Sequence, residues 1–225
     1  MTRKIAVALA CAVLLGSIVA PGLAAAAQTG VAHLTAPAGV AQATAQTGVA
    51  AAPPKTESSA PLAPASIYQL ESRWTRAGGD AIALAALRGK VRVLAIFYSS
   101  CQYACPIIVG RMKSIQAGLP AGVRSDAGFV LVSMDPSHDD PAALRDYAKR
   151  MELEGDWTLL HGSDGDVREL AALLGFRYRQ EKDGGFSHSN MITVLDREGR
   201  VAHQSIGLDN DVGDSVRAVT SLLVP

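Results

Sequence analysis

Two cysteines, Cys101 and Cys105, are the residues of this 225-residue chain best suited to do chemistry. They stand in the segment Cys101-Gln102-Tyr103-Ala104-Cys105-Pro106, directly after the apolar run Val91–Tyr98. A run rich in β-branched and aromatic residues reads as a buried strand, and a proline just inside the next element reads as the first turn of a helix. The thiols therefore belong to a strand-to-helix turn, where unpaired helix N–H groups favour the thiolate. A thiol pair at this spacing has two uses: it oxidises to a disulfide, or it grips one soft metal ion. Cys105, nearer the helix start, is expected to gain most from the dipole and to be the more acidic. Cys101, on the approach to the turn, is expected to be the more exposed and to act as the attacking or metal-accepting sulfur.

The N-terminus bears on which use is open. Met1-Thr2-Arg3-Lys4 is positively charged, an apolar stretch runs from Ile5 to about Val19, Pro21-Gly22 breaks it, and small residues follow from Ala24 to Ala27. Residues 1–27 are expected to be a secretory signal cleaved near Ala25 to Ala27, with an uncleaved N-terminal anchor as the alternative. Cys11 lies inside the apolar stretch with no completed signal before it, so it is not read as a lipid-modified cysteine. Export leaves Cys101 and Cys105 as an even pair in an oxidising compartment. A bridge closing so short a loop removes little unfolded-state entropy, so a functional pair is a better reading than a purely structural disulfide.

Residues 28–66 are dominated by Ala, Thr, Gln, Gly and Pro, and Gln28-Thr29-Gly30-Val31-Ala32 recurs as Gln46-Thr47-Gly48-Val49-Ala50. With no apolar period this segment cannot bury a core, and it is expected to be a disordered tether, His33 in it being solvated. Residues 67–225 have the size of one ordinary domain. The 21 Lys and Arg balance the 21 Asp and Glu, so no net field favours nucleic acid or an anionic membrane surface.

Along that domain, Ala81–Leu84 followed by Leu87-Arg88-Gly89-Lys90 reads as a short strand and turn feeding Val91–Tyr98. Ile107, Ile108, Met112, Ile115 and Leu119 have helical spacing, and Phe129–Met134 is the next buried strand, closed by Asp135-Pro136. Asp140 caps a helix with Pro141 at its first position. Trp157–Leu160 is a short strand, and a helix from Ser163 or Asp164 ends at Gly175. Met191–Leu195 is a third strong strand, turning at Asp196–Arg200 into Val201–Ser205, and Val212–Leu223 is the last helix. The pattern predicts an α/β fold of thioredoxin-like layout: a central mixed sheet flanked by helices, with a C-terminal β-hairpin and helix. Cysteines on the first βα turn stand where such sheets place their ligand sites.

From Ile67 to Leu223 the chain resembles the Sco/SenC family of exported, thioredoxin-like copper-binding proteins tied to assembly of the copper centre of cytochrome c oxidase. The resemblance rests on Leu87–Lys90, on Phe97–Pro106, and on Val132–Pro136 with Asp139-Asp140-Pro141; Trp157–Gly162 and Ser187-His188-Ser189 also match. It implies copper ligands at Cys101, Cys105 and His188, held as Cu(I) or Cu(II). The donor types agree, since two thiolates suit Cu(I) and an added imidazole accommodates Cu(II). Where a classical thiol oxidoreductase carries a cis-proline, Phe186-Ser187-His188-Ser189-Asn190 has none. The chain departs from the family at His138, where an arginine is usual, at Ser100 before the first cysteine, and at Tyr103-Ala104, where an acidic–aliphatic pair is commoner. These departures bear on the partner surface and mark a divergent bacterial member.

The other candidates have plainer readings. His138 among Asp135, Asp139 and Asp140 reads as part of a solvated helix start, not a second metal site. Asp135 is open between a turn residue and a group hydrogen-bonding near the thiols. His161 and His203 are ordinary strand-end side chains, Tyr103 and Phe186 are expected to form an apolar rim, and the scattered Met112, Met134, Met151 and Met191 read as core. The expected function is a periplasmic copper metallochaperone, monomeric, serving a respiratory oxidase or a related membrane-associated client. A second copper donor or a thiol reductant is a further possible partner. The alternatives are a thiol–disulfide oxidoreductase using Cys101 and Cys105 as a redox-active pair, and a redox or copper sensor.

Overall fold

The three strongest apolar runs form adjacent strands at the centre of one sheet, because runs buried on both faces pair most readily with each other. These are β3 (Val91–Phe97), β4 (Ala127–Ser133) and β8 (Met191–Leu195). In this computed structural model, which describes residues 65–182 and 184–224, the remaining strands are β1 (Arg73–Arg76), β2 (Ala81–Ala83), β5 (Trp157–Gly162), β6 (Tyr178–Gln180), β7 (Phe186–His188) and β9 (Val201–Ile206). The sheet order is β2-β1-β5-β4-β3-β8-β9, while β6 and β7 make a separate two-stranded hairpin. Strands β3, β4 and β5 run parallel, and β8 lies antiparallel to β3, with Ala95 opposite Ile192. This is the thioredoxin-like mixed sheet expected, including the β8–β9 hairpin at its edge. The expected signal and most of the expected tether, residues 1–64, lie outside the described residues. Among the described residues no helix is long and apolar enough to cross a membrane.

Four helices cover the two faces: α1 (Ala104–Gly118), α2 (Pro141–Arg150), α3 (Asp164–Leu174) and α4 (Gly213–Leu223). Alternation along β3 assigns the layers. Val91, Val93, Ala95 and Phe97 pack with α1, α2 and α4, whereas Leu94 and Ile96 pack with α3 and the N-terminal segment. Local chemistry sets the helix ends as expected. The Asp140 carboxylate accepts the Ala143 N–H at 2.8 Å with Pro141 following, Ser163 and Asp166 form a capping box, and Gly175 closes α3 at φ 70°.

Helix α1 starts at Ala104, which places Pro106 in its first turn as expected, and the short strand Ala81–Ala83 leads through a 3₁₀ turn at Leu84–Leu87 toward β3. Two local features differ from the sequence reading. Segment Ala81–Ala83 pairs with the unanticipated β1. Ser66 is buried, its hydroxyl accepting the Tyr68 N–H at 3.1 Å to cap the 3₁₀ turn Ile67–Gln69.

Candidate metal centre

The thiols stand on the turn between β3 and α1, at the carboxyl end of a central strand. Tyr103 occupies the N-cap position of α1 but offers no side-chain cap bond. The Cys101 sulfur takes that role, accepting the Cys105 N–H at 3.3 Å. Cys101 itself is held by its N–H donating to the Tyr98 carbonyl at 3.3 Å. The third donor comes from β7, whose pairing with β6 sets His188 opposite Tyr178. Donor atoms of Cys101, Cys105 and His188 all lie within 4.8 Å of one another, so the structure brings the three expected residues together. Both cysteines are free thiols, and the disulfide expected as one state of the pair is not a feature of this structure.

A backbone neighbour sets the tautomer of His188. Its Nδ1 lies 2.9 Å from the Ser189 carbonyl, which only accepts, so Nδ1 carries the proton and Nε2 keeps its lone pair. The ring stacks on Phe176 at 6.2 Å and meets the edge of Tyr98 at 5.9 Å, while Phe186 packs on Tyr98 at 5.1 Å. These rings wall the imidazole with apolar surface. Phe186 thus belongs to the rim as expected, whereas Tyr103 is 74% exposed and projects outward. A cleft of about 500 Å³ lined by Met134, Asp135, Arg168, Tyr178 and Phe186 contains none of the three donors.

The acidity order of the thiols is the reverse of the sequence expectation. Cys105 is 1% exposed, and burial pushes its thiol far up, only partly offset by a backbone hydrogen bond involving Tyr98. Cys101 also feels burial, but bonds from the Cys105 N–H, the Cys105 thiol, the Tyr103 N–H and the Tyr98 hydroxyl outweigh it and lower its pKa. Proximity to the helix start matters less than which sulfur collects the free N–H groups. That sulfur is Cys101, which is also the more exposed of the two, as expected. The Tyr98 hydroxyl is in turn pushed up to about 12, by burial first and by its bond to Cys101 second.

Asp135 does not reach the thiols: both of its carboxylate oxygens lie 2.9 Å from His138 Nδ1. The buried carboxylate that supports the thiol loop is Asp139, which accepts the Ser99 N–H at 2.9 Å and the Ser133 hydroxyl at 2.6 Å. Arg150 donates to the Ser99 carbonyl at 3.0 Å. Tyr98, Phe176, Asp139 and Arg150 went unremarked as site residues in the sequence. Tyr98 alone carried a usable signal, as the last aromatic before the cysteine segment. Asp139 was masked by the helix-cap signature of Asp140-Pro141 beside it.

Fold and site together define a thioredoxin-like protein with a two-thiol, one-imidazole donor group that can hold a metal ion. The chain belongs to the SCO1/SenC family, whose model matches residues 66–223. It is 26% identical over 142 residues to the SCO1 protein homolog of Bacillus subtilis (strain 168), an alignment covering 61% of this chain and 73% of that protein. A solved SCO1/SenC family lipoprotein from Bacillus anthracis str. Ames is similar at 25% identity with a TM-score of 0.62, covering 69% of this chain and 95% of that one. The structure of Bradyrhizobium japonicum ScoI with copper bound shares the fold at 18% identity with a TM-score of 0.58, covering 68% of this chain and 97% of that one.

Proposed function

We propose that this protein carries copper as cargo on Cys101, Cys105 and His188 and delivers it to a copper centre of a membrane-associated client, a respiratory oxidase or a relative of one. The observation that carries this reading is the convergence of two soft sulfurs and one imidazole, from separate elements, within 4.8 Å. Two thiolates match Cu(I), and the imidazole extends the site to Cu(II). A chaperone must also let its metal go, and Cys101 offers the more exposed sulfur for a client ligand to attack while Cys105 stays buried. Family membership, and the copper held by a protein of the same fold, support the assignment. The charged and then apolar start of the sequence supports a place outside the cytoplasm, on the periplasmic side.

A thiol–disulfide oxidoreductase would use the same sulfurs but would leave the oriented, ring-walled His188 without a task, so metal transfer is the reading preferred. Titration of the reduced protein with Cu(I) against a competing chelator tests it. One copper per chain is expected, with clear weakening in His188→Ala and loss of the site in Cys101→Ser. Absence of a stoichiometric site, or a His188→Ala variant matching the parent in affinity and spectrum, overturns the reading.

A further inference from the structure

Asp139, in the loop between β4 and α2, is 1% exposed, and its carboxylate serves segments other than that loop. Its carboxylate accepts the Ser99 N–H at 2.9 Å, the Ser99 hydroxyl, and the Ser133 hydroxyl at 2.6 Å. Its own N–H donates to the Asp135 carbonyl at 2.9 Å, and its carbonyl accepts from His161 Nδ1 at 3.0 Å. One residue thus ties the end of β4, the turn after it, strand β5 and the segment leading to Cys101. Ser99 is the junction. Two of its polar groups go to Asp139 and its carbonyl goes to Arg150 at 3.0 Å, so its backbone is gripped from both sides two residues before Cys101.

A buried carboxylate is a costly choice for a purely structural tie, because a charge loses its hydration on burial. Here the cost is offset by three hydrogen bonds to an ionised acceptor, which are stronger than neutral ones and more demanding in direction. What the carboxylate contributes is geometric: it holds both the N–H and the hydroxyl of Ser99, two residues before Cys101.

We propose that Asp139 is a positioning residue for copper uptake, its buried carboxylate fixing Ser99 so that Cys101 stays in reach of Cys105 and His188. This rests on the copper-carrying reading above. Asp139→Asn keeps size and shape but replaces one accepting oxygen by a donating amide, which cannot accept from serine hydroxyls. Ser99→Ala removes a single bond and no charge, and covers the case in which Asp139→Asn fails to fold. Ser66→Ala, at the buried cap far along the chain, serves as a control for general destabilisation.

In the full-length reduced protein, Asp139→Asn is expected to bind Cu(I) roughly tenfold more weakly than the parent, the usual scale for groups that orient metal ligands. Ser99→Ala should fall between them, and the Cu(II)–thiolate absorption should shift in both. Amide exchange over residues 98–103 should quicken in both variants, while exchange over β8 stays as in the parent. Parent-like affinity, absorption and loop exchange in both variants overturn the proposal. An equal loss of affinity in Ser66→Ala also overturns it, since destabilisation alone then accounts for the effect. If the parent binds no copper, the function proposed above falls, and loop exchange by itself decides whether Asp139 positions Cys101.

Discussion

Replacing Tyr98 by Phe isolates one atom, the hydroxyl that bonds the Cys101 sulfur. The Phe ring keeps the contacts with Phe186 at 5.1 Å and with His188 at 5.9 Å, so the apolar wall should stand. A hydrogen bond to an ionised acceptor contributes about 1.5–3 kcal/mol and one to a neutral acceptor about 0.5–1.5 kcal/mol, so the loss falls on the thiolate by about 1 kcal/mol. At 1.36 kcal/mol per unit this raises the Cys101 pKa by somewhat under about one unit. The shift is bounded because the Cys105 N–H, 3.3 Å from the sulfur, and the Tyr103 N–H remain. Rates of iodoacetamide modification of Cys101, resolved by site with mass spectrometry across a pH series on the reduced, metal-free protein, report that pKa directly. Below the pKa the rate should fall roughly fivefold to tenfold at fixed pH. An unchanged Cys101 profile would refute the reasoning, and so would a shift that appears at Cys105 instead.

The same alkylation series on the parent should modify Cys101 at lower pH than Cys105, since burial pushes the Cys105 thiol up while hydrogen bonds lower Cys101; equal profiles would contradict the assigned order. Because the Cys105 thiol holds its proton at neutral pH, copper binding must displace it, and apparent Cu(I) affinity should rise about tenfold per pH unit for each proton released. A flat profile, after correction for the chelator, would exclude Cys105 as a ligand. Gly162→Ala would place a Cβ 2.6 Å from the buried Trp74 ring and should cost about 1–3 kcal/mol, read as a lower Tm, with copper affinity retained. Pairing with Asp135 raises the pKa of the exposed His138, so its small stabilisation is present below the ordinary value of 6.5 and fades as pH rises through the raised one. His138→Ala should therefore lower Tm near about pH 5 and leave it unchanged near about pH 9.

The elements that were legible in the sequence are those whose formation depends on local pattern. Val91–Phe97, Ala127–Ser133 and Met191–Leu195 are continuous apolar runs, and only a strand buried on both faces accommodates such a run. Asp140-Pro141 and Ser163 with Asp166 satisfy free N–H groups within one turn, so the starts of α2 and α3 were legible too. Strand β1 and the β6–β7 hairpin were not, because Arg73–Arg76, Tyr178–Gln180 and Phe186–His188 are short, half-exposed segments without a clear period. Their pairing comes from partners distant in the chain or from the hairpin they close.

The site divides in the same way. Residue type and spacing were enough to nominate Cys101 and Cys105, and resemblance supplied His188. What a sequence cannot contain is which N–H points at which sulfur. Three-dimensional placement decided that Cys101 receives the Cys105 N–H while Cys105 is buried, and this inverted the expected acidities. It also decided that Asp139, and not Asp135, braces the thiol loop, through a hydrogen bond to Ser99 across 40 residues of chain. By itself the sequence determined which side chains are present and which elements carry them, since those depend on neighbours along the chain. Tertiary structure alone decided their ionisation and their mutual distances, because both depend on burial and on donors brought in from elsewhere in the fold.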